Sequence, residues 1–392
     1  MSWRGRGAAP AQPDPGVQWF WLTLHAAAPR VWATPALVLA NIGVWLAMVA
    51  AGAHPLNPSG EMLIAWGANF APLTAAGEWW RLPAAAFLHS GVLHLALNMW
   101  ALWDAGRLTE RLYGGVSFLL LYAAAGVTGS LTSALWHPEG VVSIGASGAV
   151  FGVLGALGAF LAVQRHSVPR QVVLGLRASV LTFVGYALLI GFLVPGIDNA
   201  AHLGGMAAGF VLGAILARPL AAPDRRRMLA LRFPLALAAA ALLAGALAWR
   251  MPPPAYDMRL ERALQQEVAR FAGEEKAILD AWRAAADARK AGRIGDAELA
   301  RRMLEAAQRW EAAHARLAAL ELSGGSPSRE RHALVLRYAE LRRDSTRLIA
   351  EAVRDGDAAK MGRARALANE LGEVRQALEK LGMDGKGKGE GN

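Results

Sequence analysis

The sequence holds 392 residues, of which 54% are hydrophobic and none is cysteine. That apolar load is too high for an ordinary soluble chain, and the missing cysteines exclude a disulfide framework, a cysteine nucleophile and a thiolate metal site. The net charge of +10 divides into +7 over residues 1–250 (15 Arg, 8 Asp and Glu, no Lys) and +3 over residues 251–392 (26 Lys and Arg, 23 Asp and Glu). The charged half is therefore nearly balanced, and no nucleic-acid partner is expected.

Residues 1–33 read as a cytosolic tail. They are rich in Gly, Pro and Ala up to Pro15 and lack the pattern of a cleavable signal. A membrane span needs roughly 20 predominantly apolar residues. Seven candidates follow, near residues 35–51, 92–108, 116–136, 147–163, 172–193, 200–217 and 233–249. They define an all-α polytopic membrane protein, with a six-helix core over residues 34–219 and a basic loop plus a seventh span over 220–250. Residues 251–384 read as a soluble helical domain. Leu264, Phe271 and Ile278 recur every seven residues, and Leu367, Leu371, Val374, Leu378 and Leu381 follow a 4-3 spacing. Turns at Gly292–Gly295, Ser323–Ser328 and Asp355–Asp357 predict about four helices in antiparallel hairpins. The Gly/Lys run over 385–392 reads as disordered.

Arginine alternates between the connecting segments. Arg4, Arg6 and Arg30 precede the first span, and Arg107 and Arg111 follow the second. Arg165 and Arg170 follow the fourth, and Arg218, Arg225, Arg226, Arg227 and Arg232 follow the sixth. The positive-inside rule places the N-terminus in the cytosol, and an odd number of spans places the C-terminal domain outside. A multi-pass location in a bacterial inner (plasma) membrane is expected, with the lipid bilayer as a partner.

Three segments carry polar residues that an apolar span does not need. They are His89–Asn98, Gly145–Gly148 and Asp198–Gly205, and all three open spans on the non-cytosolic side of this topology. Ionisable groups inside a membrane are costly and mark function by default. Along the sixth span His202, Gly205, Gly209 and Gly213 share one face, and the fourth span carries Gly148, Gly152, Gly155 and Gly158. Such small-residue stripes let two backbones pack closely. Packed together, these spans bring Ser147 and His202 within reach of a nucleophile–base hydrogen bond. Acidic residues inside the spans do not lie where they would orient His202, so a dyad is expected rather than a triad. His94 and Asn98, four apart on the second span, can donate to an oxyanion, and the Ser147 N–H adds a third donor. A metal site built on His89, His94, Asn98 and His202 lacks a carboxylate and leaves Ser147 unexplained. His89 is read as fixing the loop before the second span, and Glu110 as tying down a cytosolic loop through a nearby arginine. No cofactor is called for.

In this order the pieces resemble the rhomboid family of intramembrane serine proteases. The resemblance rests on Trp80-Arg81, Phe87-Leu88-His89 through His94, Asn98-Met99, Glu110, Gly145-Ala146-Ser147-Gly148 and Ala201-His202-Leu203-Gly204-Gly205, and it covers about Trp80–Gly213. It implies Ser147 as nucleophile, His202 as base, His94 and Asn98 as oxyanion donors, and transmembrane proteins as substrates. It also implies that Phe151 packs on the His202 ring, where many relatives carry tyrosine. The alternative in the same family is a non-proteolytic adaptor that binds transmembrane helices, whose members typically lack the serine or the histidine. A transporter would call for a midplane polar site and internal repeats, and the sequence has neither. The C-terminal domain lies outside the resemblance; substrate recruitment, control of access and self-association all suit it.

Overall fold

The computed structural model describes residues 14–220 and 225–389. It divides into two compact units, Met1–Pro253 and Pro254–Asn392.

The first unit opens with α1 (Pro15–Ala27), inside the segment expected to be a tail. Asp14 caps it by accepting from the Gly16 N–H at 2.7 Å, and Pro15 occupies a first-turn position where no amide hydrogen is needed. Phe20 and Leu24, one turn apart, are buried and anchor it. Residues 1–13 of the expected tail, with Arg4 and Arg6, lie outside the described residues.

The next elements are α2 (Ala33–Ala50), α3 (Gly60–Trp66), α4 (Ala71–Ala75) and α5 (Arg81–Ala84). The remaining helices of the unit are α6 (Val92–Tyr113), α7 (Gly115–Trp136), α8 (Ser147–Val163), α9 (Arg170–Leu193), α10 (Asn199–Leu216) and α11 (Arg225–Trp249). Helices α2, α7, α9, α10 and α11 are each long and apolar enough to cross a bilayer. Helix α6 qualifies together with the segment Arg81–Phe87, which meets it at 94°.

The expected fourth span, α8, has only 17 residues and is the shortest of the seven. Thirteen of those residues are buried. A helix surrounded by protein need not match the lipid thickness, which accounts for its length. By contrast α9 and α11 have only 6% of their apolar windows buried, with Leu181, Phe192, Leu193 and Leu242 on the outside.

Glycine decides which helices touch. A Cβ at Gly205 would lie 2.1 Å from Gly148 O, one at Gly209 2.0 Å from Gly152 O, and one at Gly155 2.2 Å from Met206 O. The α8 and α10 backbones are thus in direct contact. The Tyr113 hydroxyl of α6 lies between them, 2.8 Å from Ala156 O and 3.0 Å from Gly213 O.

Glu110 does something other than the expected pairing with an arginine. Its carboxylate, buried on α6, accepts from the backbone N–H groups of Trp32, Ala33 and Thr34 at 2.7–2.9 Å and from the Thr34 hydroxyl at 2.8 Å. It caps α2 from a distant part of the chain, an acidic group against the positive end of a helix. Glu110→Ala leaves these donors buried and unpaired, and a loss of about 3 kcal/mol or more is expected. Thermal unfolding of the detergent-solubilised protein checks this; a wild-type midpoint would remove Glu110 from the supports of the fold.

The second unit holds α12 (Met258–Lys290), α13 (Asp296–Ala318), α14 (Arg329–Asp355) and α15 (Ala358–Gly389). The breaks fall at the expected turns, with Gly292 and Gly356 at positive φ (69° and 70°). Leu264, Phe271 and Ile278 of α12 pack on Trp310 of α13 and Tyr338 of α14. Burial and the neighbouring Glu275 carboxylate push the Tyr338 phenol up to about 12. On α15 the apolar stripe is only half-buried; among the described residues that helix packs chiefly on α14. The helix also continues to Gly389, into the run expected to be disordered; proline is absent from it, so nothing there forces a stop. Residues 390–392 lie outside the described residues.

Candidate active site

The site lies where the N-terminal ends of α6, α8 and α10 come together. Its floor is a backbone brace. Asn69 and Ser143 exchange two backbone hydrogen bonds (3.0 and 2.9 Å), and the Gly145 N–H donates to Ala85 O at 2.9 Å. The Asn69 side chain donates to Ser130 O of α7 at 2.8 Å and accepts from the Thr74 hydroxyl at 2.9 Å. Arg81, expected in a loop on the outer side, is instead buried. Its guanidinium donates to Ile64 O at 2.6 Å and Ala68 O at 3.1 Å and pairs with Glu78 at 2.7 Å. These contacts hold the long segment before α6 against the chain that leads into Ser147. Sequence reasoning passed over Asn69, Ser130 and Ser143, because neutral polar residues in loops are too common to stand out.

Gly145 turns the chain into α8 with φ +110°, a conformation that favours glycine. A Cβ there would meet the His94 ring, 2.9 Å from Nε2, and would lie 3.7 Å from Ser147 Oγ. His94 Nε2 and Ser147 Oγ are therefore within about 7 Å of one another across this glycine.

Ser147 is the first residue of α8, where backbone N–H groups lack intrahelical acceptors. Its Oγ is 2.9 Å from His202 Nε2 of α10. The two residues are 55 apart in the chain, and the Gly148–Gly205 contact one residue beyond Ser147 brings them together. The His202 ring is stacked flat on Phe151, with centroids 4.3 Å apart and planes 1° from parallel. Phe151 is one turn beyond Ser147 on α8, so a single helix supplies both the hydroxyl and the surface that orients the ring.

His94 is half-buried, with Nδ1 3.1 Å from the Ser90 hydroxyl. That contact leaves the Nε2 side of the ring facing Gly145. Asn98, one turn further along α6, is buried and donates one amide hydrogen to His94 O at 2.9 Å. His89 is fully buried, with its ring edge-on to His94 at 5.1 Å between centroids. Among the described residues no cluster of three His, Asp or Glu side chains is placed to share a metal ion.

Asp198 precedes α10 as its N-cap, with Oδ1 accepting from the Ala201 N–H at 2.9 Å. The local signal was an Asp at the start of an apolar helical run.

Together the fold and this site define an all-α polytopic integral membrane protein with a serine–histidine contact inside its helical core. A family model described as "Rhomboid domain" matches residues 76–219, the stretch from just before α5 to just past α10. The chain is 39% identical over 216 residues to rhomboid protease GluP of Bacillus subtilis, covering 55% of this chain and 40% of that protein. It is 41% identical over 162 residues to RHOMBOID-like protein 5 of Arabidopsis thaliana (41% and 52%) and 33% identical over 199 residues to rhomboid protease AarA of Providencia stuartii (46% and 70%). The chain belongs to the rhomboid family. It spans 40% and 52% of the length of the first two relatives.

Proposed function

We propose that the protein is an intramembrane serine endopeptidase that cleaves transmembrane segments of other membrane proteins. The observation that carries this reading is the 2.9 Å contact between Ser147 Oγ and His202 Nε2. It is the geometry a hydroxyl needs in order to pass its proton to a base as it attacks.

Ser147 Oγ adds to the scissile carbonyl carbon while its proton moves to His202 Nε2. The oxyanion is held by His94 Nε2–H, Asn98 Nδ2–H and the Ser147 backbone N–H. When the tetrahedral intermediate collapses, the C–N bond breaks and His202 protonates the leaving amine. Water then attacks the acyl ester, passing its proton back through His202, and the acid product leaves. Gly145 leaves room for the His94 ring, Phe151 orients His202, His89 backs His94, and Gly148, Gly205 and Gly209 set the spacing of the two helices. The reaction uses no cofactor.

The length of α8 supports a recessed site. Seventeen residues rise roughly 25 Å, short of the ~30 Å hydrocarbon core, so a helix anchored at one face starts below the other. The arginine distribution supports an orientation with that face and residues 251–384 outside and the N-terminus in the cytosol; the membrane proposed is a bacterial inner membrane. On this reading residues 34–219 are the catalytic core, the segment 220–250 leads out of it, and the soluble helices recruit substrates, control access or self-associate.

Asn98→Ala tests the oxyanion assignment. A fall of about 10²–10³ in kcat is expected with KM little changed. The check is cleavage of a reporter transmembrane substrate in proteoliposomes; wild-type turnover by this variant would remove Asn98 from the mechanism.

A further inference from the structure

Two buried polar atoms stand unaccounted for beside the dyad. Asp198 Oδ2 and His202 Nδ1 are both shielded from solvent, and among the described residues neither has a hydrogen-bond partner. The rest of each side chain is occupied: Asp198 Oδ1 caps α10 on the Ala201 N–H, and His202 Nε2 faces Ser147. The residues are four apart at the start of one helix, with the His202 N–H donating to Asp198 O at 3.2 Å, so their side chains rise on the same face. A helix cap needs only an acceptor. Asparagine or serine caps at that position as well as aspartate does; what aspartate adds is a negative charge at the positive end of α10, four residues ahead of the imidazole.

Other charges do not compete there. Helices α7 and α8, which pack on α10, carry no charged residue. Arg170 and Arg177 of α9 and Arg227 and Arg232 of α11 lie toward the ends of those helices remote from the start of α10. The Glu139 side chain of the α7–α8 loop, beside His137, is 68% exposed. From α6 the titratable group of the site is His94, whose ring lies across Gly145 from Ser147. Asp198 is the one acidic group among these with a shielded, unpartnered oxygen.

We infer that Asp198 is a positioning residue for His202: its carboxylate charge favours the Nδ1–H tautomer, which leaves Nε2 free to take the Ser147 proton, and stabilises the imidazolium that results. Asp198 Oδ2 and His202 Nδ1 are not bonded to each other, so the influence is that of a nearby charge in a low-dielectric site rather than a direct hydrogen bond. This inference rests on the protease reading above. It makes the functional unit a dyad with an acidic neighbour supplied by the helix cap.

The test uses the full chain in proteoliposomes, comparing wild type with Asp198→Asn and Asp198→Ser, two neutral substitutions that keep a capping oxygen. The expected result is a wild-type melting temperature, a fall of about tenfold in kcat with KM little changed, and slower fluorophosphonate labelling of Ser147. The acid limb of the pH–rate profile should also move down by roughly one pH unit, because a lost negative charge makes the imidazolium less stable. If Asp198→Asn disturbs folding, the serine variant decides the matter. Wild-type kcat and an unmoved acid limb in a folded neutral variant overturn the inference and leave Asp198 as a helix cap. Wild-type protein that neither cleaves nor labels would instead sink the protease reading, which keeps the two failures apart.

Discussion

Ser147→Ala is expected to reduce cleavage of a reporter carrying an unstable transmembrane helix to background, a loss of roughly 10⁶ in kcat. On the proposed reading it is this hydroxyl that forms the acyl bond. Without it, the His202 ring, the oxyanion donors and the Phe151 stack all stay in place with nothing to activate. His202→Ala should cost nearly as much, because an unactivated serine hydroxyl is a poor nucleophile near neutral pH. The double variant should be no worse than either single one, since the pair acts as a unit. Fluorophosphonate labelling gives a second readout that does not depend on the choice of substrate. Wild type should label, Ser147→Ala should not, and His202→Ala should label slowly. Cleavage that persists in a pure preparation of Ser147→Ala would place the nucleophile elsewhere. A folded wild type that binds transmembrane helices but never labels would favour a non-proteolytic adaptor.

The second large effect is on the framework. Gly209→Val would put a Cβ 2.0 Å from Gly152 O and 2.6 Å from Gly152 Cα, backbone atoms that cannot swing aside. Either α8 and α10 separate or the variant does not fold. The cost should match or exceed the ~1–3 kcal/mol usual for overpacking. Because the same contact line holds Ser147 against His202, labelling should fall along with stability. Gly158→Ala is the internal control. It lies on α8 as well, but a Cβ there meets nothing within 4 Å, so wild-type melting and wild-type labelling are expected. Thermal unfolding in detergent, read beside labelling of Ser147, distinguishes the cases. Equal melting of Gly209→Val and wild type would mean that the two helices are not locked through these glycines.

Much of this arrangement is legible in the chain itself. Uninterrupted apolar runs and glycine turns are local signals, and they located α2 and α6–α15 to within a few residues, except where α11 begins earlier and α15 ends later. The glycine spacing on α8 and α10 also announced their contact, because a face without side chains has few uses other than close approach. Local signals could not say which distant group satisfies a given polar atom. Glu110 looked like a partner for an arginine and is instead the cap of a helix that begins 77 residues earlier. Arg81 looked like a loop charge and is a buried clamp on Ile64 and Ala68.

Residue type and periodicity report how much of a segment must leave water, and they were enough to single out Ser147 at the head of one helix, His202 at the head of another, and the glycines that let the two touch. The 2.9 Å contact across 55 residues and the flat stack of His202 on Phe151 depend on the angle and depth at which packed helices meet. Those quantities are set by many weak contacts acting together, and no short stretch of the chain contains them.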